Sequence, residues 1–307
     1  MSYAPIKTKL DRHETVILDG GTGTELERLG AKMSPEAWCG PATLENQDLL
    51  LSIHLNYLAA GADVITANTY ASSRLMLESA GFGDQVHTIN QVALQVAHKA
   101  RAERGDAEFA IAGSMSHMVP IALGRDQADV SRNPSEAQVA EAFHELATIH
   151  AENGADLIIL EMMYHPVRMP LALAAATATG LPVWVGMSAR RSPTGEMLSF
   201  MTEDDMPFSE VVAIMADFDI DAAGVMHTQS NLIADAIDLV SEQYTGPLMA
   251  YPDSGYFAMP EWQFEDIIPP AELKDYARNW QHDHNVSIIG GCCGLSPAHI
   301  EGLASLR

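Results

Sequence analysis

The sequence is short of cysteine, of positive charge and of long apolar runs, and each shortage removes a class of protein. Only three cysteines occur, Cys39, Cys292 and Cys293. The last two are adjacent, which strains a disulfide, so a disulfide framework is excluded. Seventeen Lys and Arg stand against 41 Asp and Glu, a formal net charge of −24. Such a chain repels phosphate backbones and anionic bilayers, so neither nucleic acid nor a membrane is expected as a partner. The acidity itself reads as a solvated surface. No run approaches the ~18 apolar residues of a membrane span, and the opening MSYAPIKTKLDRHE lacks the apolar stretch of a secretory signal. The expected location is therefore the cytoplasm. No Gly/Ser-rich linker or low-complexity tract divides the chain.

What is present is ample material for a core: 307 residues, 47% hydrophobic and 19% charged. Eight short β-branched or apolar runs recur, each followed by a helix-like stretch. They are VILDGG from Val16, DVITANT from Asp63, FAIAGSM from Phe109, LIILEMM from Leu157, VWVGMSA from Val183, AAGVMH from Ala222, LMAYPDS from Leu248 and SIIGGCCG from Ser287. Continuous apolar runs suit strands buried on both faces, as in a parallel sheet covered by helices. Between them, Leu50, Ile53, Tyr57 and Leu58 share one helix face, and Ile89, Ala93, Val96 and Ala100 share another. Ser135 with Gln138 forms a capping box, Ser296 and Pro297 open a helix, and Gly61 and Gly154 sit at helix C-termini.

Eight strand and helix alternations predict an α/β fold, a single-domain (β/α)8 TIM barrel over residues 1–307. The rival is an open doubly wound sheet, but its Gly-x-Gly-x-x-Gly fingerprint is absent from DGGTGTELERLG at Asp19. Three longer connections, 28–45, 116–133 and 252–270, would rise over one face as lids or substrate walls.

Unusual polar residues fall at the ends of the runs: Asp19, Asn68, Ser114, Glu161, Ser188, His227, Asp253 and the Cys292, Cys293 pair. In a barrel that end is the catalytic face. Taken singly, Asn68, Ser114, Ser188 or Asp253 reads more readily as a helix cap than as a functional group. The vicinal cysteines are sharper, because two thiolates on a glycine-flexed strand end can face one cation, and zinc favours sulfur. His227, on the same rim, completes a Cys2His set with an open fourth position. The competing reading for the cysteines is a buried pair of small residues, and for His227 a hydrogen-bonded structural histidine. Cys39 reads as an incidental thiol, and His117 and His165 lie on the catalytic rim, where such histidines are more often surface or hydrogen-bonded residues.

The sequence resembles the homocysteine S-methyltransferases, over nearly its whole length. The resemblance rests on DGGTGTELERLG at Asp19, GADVITANTY at Gly61, the Glu161 strand end, GVMH at Gly224, YPDSG at Tyr251 and GGCCG at Gly290. It implies a zinc ion that binds the acceptor thiol as an activated ligand, with Cys292 and Cys293 matching the family's paired cysteines. The family's third cysteine, in a Gly-Val-Asn-Cys motif, is met here by Met226 and His227, a departure at a metal ligand. Imidazole in place of thiolate donates less negative charge, so a bound thiol ionises more readily but attacks less eagerly.

The resemblance further implies that Asp19, Gly20, Gly21, Thr22 and Glu161 hold an amino-acid acceptor, carboxylates taking the ammonium and turn amides the carboxylate. Asn68 joins them as a substrate-binding candidate. After YPDSG, Tyr256, Phe257 and Trp262 offer aromatic faces to a cationic methyl donor, with loop packing as the alternative. The expected function is thus a zinc-dependent S-methyltransferase moving a methyl group from a sulfonium or betaine donor to a zinc-bound thiolate, homocysteine giving methionine. A zinc hydrolase and a non-catalytic binding barrel are its rivals. A homo-oligomer is compatible with the sequence, and cobalamin is not expected because no additional binding module is present.

Overall fold

All eight runs form strands. In the computed structural model, which describes residues 3–105, 108–124, 128–202 and 204–307, they are β1 Val16–Ile17, β2 Val64–Thr66, β3 Ala110–Ser116, β4 Leu157–Met163, β5 Val183–Met187, β6 Ala222–Gln229, β7 Leu248–Asp253 and β8 Val286–Ile289. All pair in parallel in the order β1-β8-β7-β6-β5-β4-β3-β2. A parallel bridge between Leu18 and Val64 brings the two ends together, so the sheet closes into a TIM barrel rather than the open doubly wound sheet.

Closure depends on the period-2 alternation of apolar side chains along strands that have no polar face. Val16 and Leu18, Leu157 and Ile159, and Ala110 and Ala112 fill the barrel interior. Ile17, Ile158, Leu160 and Ile111 point outward and join the helices in the larger outer core. The helical stripes read from sequence are all buried, Leu50, Ile53, Tyr57 and Leu58 on one helix (Gln47–Ala59) and Ile89, Ala93, Val96 and Ala100 on the next long one (Val86–Arg104). Ser135 and Gln138 make the anticipated capping box. Gly61 (φ 105) and Gly154 (φ 80) take the left-handed conformation that ends their helices without a Cβ clash.

Two features were not anticipated. A helix over Tyr3–Asp11 plugs the N-terminal end of the barrel, where Tyr3, Ile6 and Leu10 join the interior cluster and the Tyr3 hydroxyl accepts a hydrogen bond from Trp184 Nε1 at 3.1 Å. Beyond β5, Ala189–Arg191 and Met197–Ser199 form an antiparallel hairpin, a fourth excursion over the catalytic face. A second hairpin, Tyr256–Ala258 with Glu261–Gln263, lies within the connection after β7. No helix among the described residues is long and apolar enough to cross a membrane.

Candidate active site

The C-terminal ends of β1, β7 and β8 are tied into one unit before any functional side chain is considered. The Gly291 amide donates to the Asp19 carbonyl (3.0 Å), Cys292 N to the Pro252 carbonyl (2.8 Å), and Ser254 N to the Cys293 carbonyl (2.9 Å). Gly294 N donates to Thr24 Oγ1 at 3.1 Å. A Cβ on Gly21 would come within 2.7 Å of the Cys292 carbonyl oxygen, so that glycine lets the β1 turn close against the cysteine loop.

On this platform Cys292 Sγ lies 3.7 Å from His227 Nδ1 and 3.8 Å from Cys293 Sγ. The three donor atoms all fall within 4.8 Å of one another. Tetrahedral zinc with bonds of about 2.3 Å to sulfur and 2.0 Å to nitrogen sets its ligands roughly 3.6–3.8 Å apart, so the donor set fits such an ion with one position left open. His227 reaches the site because β6 bulges: its register with β7 shifts between Met226 and Gln229, and His227 adopts φ 42. A non-glycine residue in that region costs on the order of 1–3 kcal/mol, strain typical of functional positions. Ser188 Oγ and Thr228 Oγ1 hold the bulge through the Met226 carbonyl at 3.0 and 2.9 Å. The rings of Phe200 and Trp262 meet the imidazole edge to face at 5.4 and 5.7 Å, fixing its plane. Contact with Cys293 and burial raise the Cys292 thiol well above its ordinary range. Contact with Cys292 lowers Cys293, but burial and nearby acids leave it raised overall. Buried thiols of this kind keep their protons until a cation displaces them.

Two carboxylates face the same cavity. Asp19, 1% exposed, accepts from Thr66 N at 2.6 Å and Thr66 Oγ1 at 2.8 Å. Glu161 accepts from Ser114 Oγ. Burial pushes both up to about 7, Asp19 against its two Thr66 hydrogen bonds and Glu161 against Ser114 and His227. Groups so buried are stabilised as anions only when a cation arrives beside them.

The remaining sequence candidates divide. Gly20, Thr22 and Asn68 line the cavity, but Asn68 spends its amide on the Cys39 carbonyl (3.0 Å) and Thr43 Oγ1 (2.9 Å), which anchors a wall. The Gly21 amide already donates to the Leu295 carbonyl at 3.3 Å, so it is not a spare donor for a carboxylate. Phe257 and Trp262 line the cavity with stacked rings 6.4 Å apart. Tyr256 departs from expectation: period-2 alternation on its hairpin turns it outward, it is 51% exposed, and it is not among the cavity-lining residues. Cys39, read as an incidental loop thiol, is buried in the cavity wall. His117 also lines the cavity, its Nε2 accepting from Tyr164 N at 3.0 Å. His165 Nδ1 accepts from the amides of Val167 and Arg168 at the start of a helix.

Sequence reasoning missed the other aromatics. Trp38 meets Phe257 edge to face at 5.4 Å and Tyr70 at 5.9 Å, and Tyr164, also in the cavity lining, packs on Phe200, which in turn meets His227. For Phe200 a signal existed, since Pro193, Thr194 and Gly195 between polar and apolar alternations mark the hairpin that carries it. The cavity is open to solvent at its mouth and is walled by Trp38, Tyr70, Tyr164, Phe257 and Trp262.

A family model described as homocysteine S-methyltransferase matches residues 16–306. The homocysteine S-methyltransferase of Escherichia coli is 28% identical, the alignment covering 97% of each chain. The homocysteine S-methyltransferase YbgG of Bacillus subtilis is 25% identical over 98% of this chain and 97% of its own. A selenocysteine Se-methyltransferase of Brassica oleracea is 25% identical over 94% of this chain and 87% of its own. Among solved structures, the oxidized form of the homocysteine methyltransferase MmuM from Escherichia coli superposes with TM-score 0.78 at 25% identity, covering 99% of both chains. Its metallated form gives TM-score 0.76 at 22% identity, covering 99% of this chain and 100% of that one.

Proposed function

The chain belongs to the homocysteine S-methyltransferase family, and from that premise we propose that it moves a methyl group from a cationic sulfonium or betaine donor to the thiolate of homocysteine. His227, Cys292 and Cys293 are the residues that would hold a zinc ion. Zinc, when bound, lowers the pKa of a thiol ligand and so supplies a thiolate at neutral pH, where a free thiol of pKa about 8.5 is only a few per cent ionised.

The chain's own residues supply the rest. Glu161 and Asp19 accept the ammonium of the acceptor, whose charge repays the burial of theirs. Trp262, Phe257 and Trp38 turn aromatic faces and edges to the cavity on the side of His227, where a positively charged methyl donor is favoured over a neutral one. Thioether and sulfonium groups also pack well on such surfaces. Holding donor and acceptor in one cavity replaces a bimolecular encounter with an oriented one, which lowers the entropic part of the barrier.

The observation that carries this reading is the meeting of three metal-donor atoms within 4.8 Å in the same aromatic-walled cavity as two buried carboxylates. The test is zinc content of wild type and His227→Ala beside a methyl-transfer assay with homocysteine, selenocysteine and a panel of sulfonium and betaine donors. About one zinc per chain and methionine from one donor support it. Zinc without methyl transfer to any thiol or selenol would sink it, and product from a hydrolysable substrate without a thiol would replace it with hydrolysis.

A further inference from the structure

Strand β7 carries a polar atom that neither the fold nor the reaction described above employs. Tyr251 is 1% exposed, its hydroxyl oxygen has no hydrogen-bond partner, and the residue lines the active-site cavity. It is paired with Met226 of β6, and its ring crosses that strand to reach β5, where a Cβ on Gly186 would overlap the hydroxyl and come within 2.7 Å of Met226 Cγ. Gly186 thus leaves the room that lets a phenol cross the barrel floor. On the far side of β5, the pairs Leu160 with Val185 and Met163 with Met187 bracket the level of Gly186 and Glu161, placing the hydroxyl one strand away from the Glu161 position.

A buried hydroxyl without a partner is a standing cost that a fold normally avoids, and this one borders a substrate cavity. Burial, and then the charge of Glu161, raise the phenol well above its ordinary ionisation range, so it stays a neutral hydroxyl with two free lone pairs. Such an oxygen beside a carboxylate suits a ligand group with several donors. We propose that Tyr251 is a specificity-determining residue of the acceptor site, its hydroxyl oxygen accepting a hydrogen bond from the ammonium of an amino-acid thiol beside Glu161. The proposal rests on the reading of the acceptor as an amino-acid thiol. A site with a buried polar partner for a substrate group rejects analogues lacking that group far more strongly than an apolar pocket rejects a missing methylene.

Tyr251→Phe removes the oxygen and keeps the ring in the interior core that also holds Trp184, Met226 and Met249. Zinc-loaded wild type and variant are titrated with L-homocysteine and with 4-sulfanylbutanoate, the same thiol acid without the ammonium. The variant is expected to bind homocysteine on the order of tenfold more weakly and 4-sulfanylbutanoate unchanged, with equal zinc content and a melting temperature equal to or above wild type. Equal losses for both ligands, or no loss, overturn the proposal. So does a variant that loses zinc or melts earlier, because the hydroxyl then has a structural task. If wild type binds both ligands equally, the amino-acid acceptor itself is refuted and the proposal with it, a failure read on wild type alone.

Discussion

Cys292 Sγ stands 3.7 Å from His227 Nδ1 across 65 residues of sequence, and the contact exists only because β6 breaks its register before reaching the rim. A regular strand would carry residue 227 past the cysteine loop. The left-handed backbone at His227 is strain spent on aiming one imidazole, and it argues that position 227 is built to reach the cysteines.

Removing a member of that cluster should therefore remove the metal. Cys292→Ala and Cys293→Ala are expected to lose bound zinc and activity together, while His227→Ala binds zinc more weakly and His227→Cys retains it. Binding must also expel protons from the two raised thiols, so zinc affinity should climb with pH across the neutral range. Competition against a chromophoric chelator at several pH values measures both effects. Full activity in a metal-free cysteine variant would refute the assignment.

Asp19 and Glu161 carry a second proton linkage. Both are raised to about 7 by burial, so near pH 6 each holds a proton and above pH 8 neither does. An ammonium ligand prefers the ionised pair. L-2-aminobutyrate, an acceptor analogue without the thiol, should bind more tightly as pH rises from 6 to 8 and release protons as it binds, up to about tenfold per pH unit for each group. Calorimetry in buffers of different ionisation enthalpy counts those protons. Glu161→Gln should weaken binding and abolish about half of the release, leaving the share that Asp19 contributes; a pH-independent affinity in wild type would mean that the pair does not face the ammonium.

How much of this was legible beforehand follows from where each signal lives. The strands announce themselves because a barrel strand is buried on both faces, and the residues ending them, Asp19, Glu161, His227 and Cys292, are placed by the strand boundaries alone. What stayed hidden depends on side-chain direction in irregular segments. Tyr256 and Phe257 are neighbours in one hairpin, yet only Phe257 turns inward, and no composition rule distinguishes them. The Gly21 amide looked free in sequence and is taken by Leu295, a contact made by residues 274 apart. The helix over Tyr3–Asp11 was overlooked because its stripe of Tyr3, Ile6 and Leu10 is thin, and its task as a barrel plug is visible only when Trp184 is seen beneath it.

The buried histidines predict a pH dependence of stability that the active site partly masks. His54 and His150 are fully buried with no partner for either ring nitrogen, and burial lowers them to about 4 and about 3. The unfolded chain takes up their protons near pH 6.5 while the folded chain refuses them, so stability falls as pH drops from about 6.5 towards 4. Asp19 and Glu161 act oppositely, because a raised carboxylate costs stability as pH rises from about 4 to 7. The wild-type profile is thus flatter than either pair alone. The diagnostic is the difference between wild type and His150→Leu, which should grow in the variant's favour by about 1.4 kcal/mol per pH unit on acidification below 6.5. Parallel urea midpoints at pH 7 and pH 5 would show that His150 titrates in the folded state.

The aromatic wall makes a prediction that separates donor from acceptor. Phe257 stacks on Trp262 and meets Trp38 edge to face, yet neither of the buried carboxylates is attached to it. Replacing Phe257 with Leu keeps an apolar wall but removes a quadrupole, a change that only a charged ligand feels strongly. The KM for a sulfonium or quaternary ammonium donor should rise by a factor of about 2 to 30, corresponding to roughly 0.5–2 kcal/mol of cation–π attraction, while the KM for the thiol acceptor and the zinc content stay unchanged. Binding of a neutral analogue, such as the thioether left after the sulfonium loses its methyl group, should change far less. That contrast matters because the demethylated product must leave: a wall that holds positive charge releases a thioether once methyl transfer has discharged the sulfonium. If the variant weakens the neutral product as much as the cationic donor, the wall acts through shape, and the cationic character of the donor loses its structural support.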